Sequence, residues 1–198
     1  MTNVAGLSQR HLVRRGLWLE YATLGWNVVG AAIVLGAAWT AHSIALAGFG
    51  LDSLIEIFAS VVVVWQLKGS ATEEREYRAM RLIGAAFFAL ALYVLAQSGY
   101  TLLGAARPAV SFVGIAWLTL TVVAMVLLAF GKRRTGEALD NPVLRTEAHV
   151  TMVDAYLACA VLVGLALNAI AGWWWADPLA GLVIVYYGVK EGLQAWRR

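Results

Sequence analysis

Six long apolar runs constrain this chain more than any other feature of its sequence. They cover residues 17–41, 43–67, 82–105, 109–130, 148–171 and 178–195. Each is close to the about 20 residues that a helix needs to cross the hydrocarbon core of a bilayer. Only 14% of the 198 residues are charged, against roughly 25% in ordinary soluble domains. That is too little charge to coat a water-facing surface of this size, and the mean hydropathy of +0.72 agrees. The fold class expected is an all-α membrane protein of six transmembrane helices. A short segment, 1–16, precedes the membrane domain of 17–198. The longest stretch between spans, 131–147, is expected to form a surface helix or loop.

The basic residues orient the spans. Arg10, Arg14, Arg15, Lys68, Arg75, Arg78, Arg81, Lys132, Arg133, Arg134, Arg145, Lys190, Arg197 and Arg198 all fall on one side, and Arg107 alone falls on the other. Cytoplasmic loops carry the Lys/Arg excess, so both termini are expected in the cytoplasm. Counting five or seven spans would scramble this pattern. Trp39, Trp173, Trp174 and Trp175 sit near the outer span ends and Trp18, Trp65 and Trp196 near the inner ends, as interfacial aromatic belts require. The net charge of +3 is spent on these flanks. No nucleic-acid module accompanies it, so no nucleic-acid partner is expected. Cys159, the single cysteine, excludes a disulfide framework and reads as a small buried hydrophobe.

Four acidic residues lie where lipid-facing helices should be apolar. Glu20 is one turn into the first span and is expected to snorkel toward the headgroups. Asp52, Glu56 and Asp154 are well inside their spans. A charge deep in a bilayer costs at least about 2.5–3.5 kcal/mol, and no basic residue is expected at their depth. Protons or a bound cation can neutralise them, which makes transport or binding the default reading. Asp52 and Glu56 are four apart, so both carboxylates leave one face of the helix, one turn apart. Asp154 reaches a compatible depth from the fifth span. Gly48, Gly50 and Ser53, with Ala158, Ala160 and Gly164, favour close helix approach around them. Asn27, in the first span, suits either a helix contact or the transport path. Asp177 and Pro178 are expected as N-cap and N1 of the sixth helix, with Lys190 and Glu191 at the inner interface.

The stretch "HSIALAGFGLDSLIEIFAS" in the second span resembles the second transmembrane helix of the cation diffusion facilitator, or cation efflux, family. "TEAHVTMVDAYLACAVLVGLALNAIAGWWWADPLAGLVIVYYGVKEG" resembles that family's fifth and sixth helices. The resemblance implies two metal ligands on helix two and two on helix five, which hold one Zn²⁺ or similar ion that exchanges for protons. Asp52 and Glu56 match the first pair, and Asp154 matches the second ligand of helix five. The first ligand of that helix should stand four residues earlier, where this chain has Val150. His149, five before, is turned about 140° from Asp154. It reads as interfacial, or as a ligand only through a bulge. Glu147 and Thr151, seven and three before Asp154, share its face better. Either of them, or water, can complete the coordination.

The resemblance implies a divalent metal transporter, an integral multi-pass protein of a prokaryotic plasma membrane and a homodimer, with no cofactor other than its cargo. Family habit puts Zn²⁺ first, while an oxygen-rich site leaves Mn²⁺, Co²⁺ and Fe²⁺ open. Typical members continue past the sixth span into a cytoplasmic metal-binding lobe. This chain stops at Arg198, which marks it as resembling the short, tail-less members. The alternative reading is a non-transporting membrane partner on the same fold, whose carboxylates would tolerate replacement by amides. An enzyme is not expected, because no nucleophile or cofactor motif shares the carboxylates' face.

Overall fold

The computed structural model describes residues 2–68, 73–104 and 107–197. Six helices follow in order: α1 (Thr2–Ala41), α2 (Ile44–Lys68), α3 (Glu73–Leu102), α4 (Phe112–Ala138), α5 (Pro142–Ala171) and α6 (Ala176–Arg197). No strand occurs among the described residues. Four segments within these helices, Arg10–Ala41, Gly84–Leu102, Phe112–Ala138 and Glu147–Ala171, are long and apolar enough to cross a membrane. α2 and α6 have 25 and 22 residues, enough at 1.5 Å per residue to cover the roughly 30 Å of a hydrocarbon core. The chain is an all-α membrane protein.

Several boundaries have a local cause. Ser111 caps α4 by accepting from the Gly114 N–H at 3.1 Å, and Asn141 caps α5 by accepting from Leu144 N–H at 3.1 Å. α5 ends at Gly172, whose φ of 67° is the left-handed conformation that lets the last carbonyls be capped. The two tightest connections each put a non-glycine residue in that conformation: His42 (φ 52°) between α1 and α2, and Asp140 (φ 48°) between α4 and α5. Stretch 131–147, expected as a separate surface element, is instead absorbed by its neighbours. α4 runs on to Ala138 and α5 starts at Pro142, because no proline interrupts Gly131 to Ala138 and its two glycines are tolerated, even though the charge there ends the apolar run.

Asp177 is a correction of another kind. α6 already begins at Ala176, and the Asp177 carboxylate serves a different helix. One oxygen accepts from Ile44 and Ala45 N–H at 3.1 and 3.3 Å, and the other accepts from the Ser43 hydroxyl. The start of α2 is thus capped across the fold, which ties α6 to α2 at the end remote from the chain termini. At that far end the Ala109 N–H also donates to Ala41 O at 2.8 Å, and the Asn168 amide donates to Pro108 O at 3.1 Å. The opposite, terminal end is closed by Gly16 against Leu144 and by Gly84 against the Gly192 carbonyl.

The bundle is apolar outside and mixed within. Leu103, Ile170, Phe112, Leu92 and Leu127 face outward, as lipid contact allows. Cys159 is also exposed rather than buried, which in a membrane helix is an apolar address all the same. The core runs through Val34, Leu46, Phe49, Val94, Leu118, Val161, Leu165 and Ile184. Small residues set the helix spacings: a Cβ on Gly50 would meet Leu35 of α1 at 2.7 Å, and one on Gly164 would meet Ala180 of α6 at 2.8 Å. Trp39, Trp173 and Trp175 are exposed at the far end and Trp18 and Trp196 at the terminal end, while the side chains of Trp65, Lys68, Arg75, Arg78 and Arg197, and the whole of Arg198, lie outside the described set.

Candidate metal centre

The three mid-span acids converge. Asp52 and Glu56 leave α2 one turn apart and Asp154 leaves α5, and one carboxylate oxygen from each lies within 4.8 Å of the others. All three residues are buried, Asp154 at 1% exposure. Three oxygens around a tetrahedral ion at about 2.1 Å stand about 3.4 Å apart, so modest rotation of these side chains would close the set on one cation. Asn27 of α1 belongs to the same place: its amide Nδ2 donates to Glu56 Oε2 at 2.8 Å. That bond uses one oxygen of Glu56 and fixes its carboxylate plane. Both oxygens of Asp154 are buried and have no hydrogen-bond partner. A buried carboxylate left this way costs free energy unless something occupies the space it faces.

A second polar layer lies toward the terminal end, and sequence reasoning did not find it. Lys132 of α4 is completely buried, with its Nζ 3.0 Å from Glu20 Oε2 of α1, 3.1 Å from Thr151 Oγ1 and 3.6 Å from Glu147 Oε2 of α5. Glu20 therefore does not snorkel. It is 0% exposed, and its Oε1 has no partner. Lys132 was expected among the interfacial cations because it follows the last apolar residue of its run. Its phase was the available signal, since Gly114, Leu118, Thr121, Met125, Ala129 and Lys132 all lie on the buried stripe of α4.

The remaining sites are dispersed. Glu147 and Thr151 are drawn to Lys132 rather than into the three-carboxylate group. His149 is exposed and lines an open cleft of about 610 Å³ between α4 and α5, beside Arg133, Glu137 and Arg145. Val150, at the register of the missing ligand, is half-buried. Lys190 lies over the Tyr187 ring, and Glu191 Oε1 is buried without a partner.

A helical membrane bundle that gathers three buried carboxylates in its interior has the donors to hold a cation. Residues 21–197 match the cation efflux transmembrane domain, and the chain belongs to the cation efflux family, whose members transport metal cations. It is similar to Transmembrane protein 163 of Xenopus laevis, 22% identical over 185 residues, covering 89% of this chain and 66% of that protein. It is also similar to an uncharacterized transporter, sll1263, of Synechocystis sp., 28% identical over 192 residues, covering 89% of this chain and 61% of that protein. The chain thus spans no more than about two thirds of the length of these relatives.

Proposed function

We propose that this chain carries a divalent metal cation across the bilayer, binding it between Asp52, Glu56 and Asp154 and exchanging it for protons. The observation that carries the reading is the convergence of three buried carboxylates from two helices within 4.8 Å, one of them with both oxygens unpartnered. Ligating carboxylates must be deprotonated, so metal and protons compete for the same oxygens. That competition is what a proton-driven exchange requires. Alternating exposure of the site to the two sides then moves the ion, with the termini in the cytoplasm as the charge distribution favours.

The donor set bears on the metal. With His149 in the open cleft, the gathered donors are all oxygens, which suit harder ions such as Mn²⁺, whereas imidazole suits Zn²⁺. Zn²⁺ remains the family-level expectation and Mn²⁺ the ion favoured by the chemistry, with Co²⁺ and Fe²⁺ between them. A homodimer is part of the same proposal.

The test is metal uptake into proteoliposomes holding the purified chain, with Zn²⁺, Mn²⁺, Co²⁺ and Fe²⁺ offered separately and in competition. Uptake should be saturable and should disappear in Asp52→Ala protein that still inserts. Full transport by that variant would sink the proposal.

A further inference from the structure

The lysine layer holds a chemistry that transport through the upper carboxylates does not use. Two carboxylates, Glu20 and Glu147, and one hydroxyl, Thr151, surround a single point in space, and the Lys132 ammonium occupies it at 3.0, 3.6 and 3.1 Å. The three oxygen donors come from α1 and α5, and the cation comes from α4. Two carboxyl groups face one ammonium, so with both ionised one negative charge is left uncompensated. Glu20 Oε1 is buried with nothing bound to it, although Glu20 is 0% exposed. A doubly charged ion would balance this cradle where a singly charged ammonium does not. To reach the about 2.1 Å of a first-row metal–oxygen bond, the Glu20 and Thr151 oxygens would need to draw in by about 1 Å and the Glu147 oxygen by about 1.5 Å.

Position adds the second half of the case. Thr151 precedes Asp154 by three residues on the same helix, a rise of about 4.5 Å, so the cradle lies about one turn from the carboxylate cluster. It lies on the terminal-end side, and Glu147 retains 12% side-chain exposure there, while Lys132 and Glu20 retain none. A cation that approaches Asp154 from that end meets Glu147 first and the ammonium next. It cannot pass a fixed positive charge at this range unless the charge moves. Lysine is suited to moving, because its charge rides on a flexible four-carbon stem.

We propose that Glu20, Glu147 and Thr151 form a second divalent-cation station on the terminal-end side of the carboxylate cluster, held by the tethered Lys132 ammonium until an arriving metal ion displaces it. The lysine keeps the station neutral enough to exist in a low-dielectric interior when no metal is present. It also makes entry a replacement of one cation by another rather than the filling of bare charge. This inference rests on the metal-transport reading, with the ion held first here and then by Asp52, Glu56 and Asp154.

Equilibrium binding of Mn²⁺ and of Zn²⁺ to the purified full-length chain in detergent tests it. The wild-type chain should show one tight component and a second, weaker one. Asp154→Asn should remove the tight component and leave the weaker. Lys132→Gln, which removes the charge and shortens the side chain by one atom while keeping it polar, should tighten the weaker component at least tenfold. Adding Glu20→Gln to either variant should abolish it. Loss of a buried cation can prevent folding, so the Asp154→Asn arm asks the same question with the lysine in place. A folded Asp154→Asn chain with no saturable second component overturns the proposal and leaves the lysine layer as a structural tie between α1, α4 and α5. So does a folded Lys132→Gln chain with unchanged affinity. Absence of the tight component in wild type would instead sink the assignment of the three-carboxylate site, so the two failures are told apart.

Discussion

Glu56 is held differently from Asp154 across the cluster, and the difference predicts how each responds to substitution. Its Oε2 accepts from Asn27 at 2.8 Å, whereas Asp154 has no partner on either oxygen. Hydrogen bonds to a charged group contribute about 1.5–3 kcal/mol. Asn27→Ala should therefore leave the ligands in place but free Glu56 to rotate, weakening metal affinity by roughly tenfold or more, at about 1.4 kcal/mol per decade. The measurement is the metal concentration at half-maximal uptake, and an unchanged value would remove Asn27 from the site. Asp154→Asn should behave otherwise. It takes away a donor that nothing else engages, so binding at the cluster should be lost while thermal stability in detergent holds or rises, because the carboxyl group makes no hydrogen bond that the fold would lose. A clear loss of stability in that variant would show that Asp154 is there for the fold.

Helix termini and close helix contacts decide how firmly this site is framed. Asp177 satisfies the first N–H groups of α2, the helix that carries two of the three carboxylates. Asp177→Ala should cost about 0.5–2 kcal/mol, the usual range for a lost N-cap, with an added share for the Ser43 hydroxyl left without its acceptor. Unfolding in detergent would report it, and Asp177→Asn should recover part of the loss by keeping an acceptor oxygen. Gly164→Val should cost about 1–3 kcal/mol through overpacking, because its new Cβ would meet Ala180 at 2.8 Å and the Ala176 carbonyl at 3.0 Å. Much of this scale could be read from sequence. Apolar runs mark where helices stay in lipid, and Asp52, Glu56 and Asp154 stand out because those runs are otherwise uncharged. The rest is hidden for physical reasons. Hydropathy ends a span where charge begins, but the α-helix of Lys132 to Ala138 continues past that point, so the extent of α4 could not be seen. The depth of Lys132 is a matter of helical phase rather than of distance from the nearest apolar residue. The Asp177 cap joins residues 133 positions apart, a relation that only the packed bundle creates.

For the molecule as a whole, the proposed exchange has a definite sign and a definite electrical consequence. If metal binding at the cluster releases protons, affinity must fall as pH falls, because protonated carboxylates are removed from the ligand set. In proteoliposomes an acidic lumen should then drive metal inward as protons leave, and an ionophore that collapses the pH difference should slow uptake to the rate of passive exchange. The number of protons exchanged is open to the same assay. Two protons for one divalent ion moves no net charge, so uptake at a fixed pH difference should ignore the membrane potential. One or three protons would move a net charge per cycle, and each such charge responds by about 2.3 kcal/mol per 100 mV, enough to change the accumulation ratio more than tenfold. Three carboxylates against a doubly charged ion leave room for one residual negative charge or one retained proton at the cluster, and retention of that proton is compatible with the neutral cycle. Uptake that is driven by an acidic lumen and indifferent to potential would therefore fix the exchange at two protons per divalent ion. Uptake indifferent to the pH difference but driven by the potential would mean that the doubly charged metal moves through this bundle without protons, and the exchange mechanism would have to be abandoned.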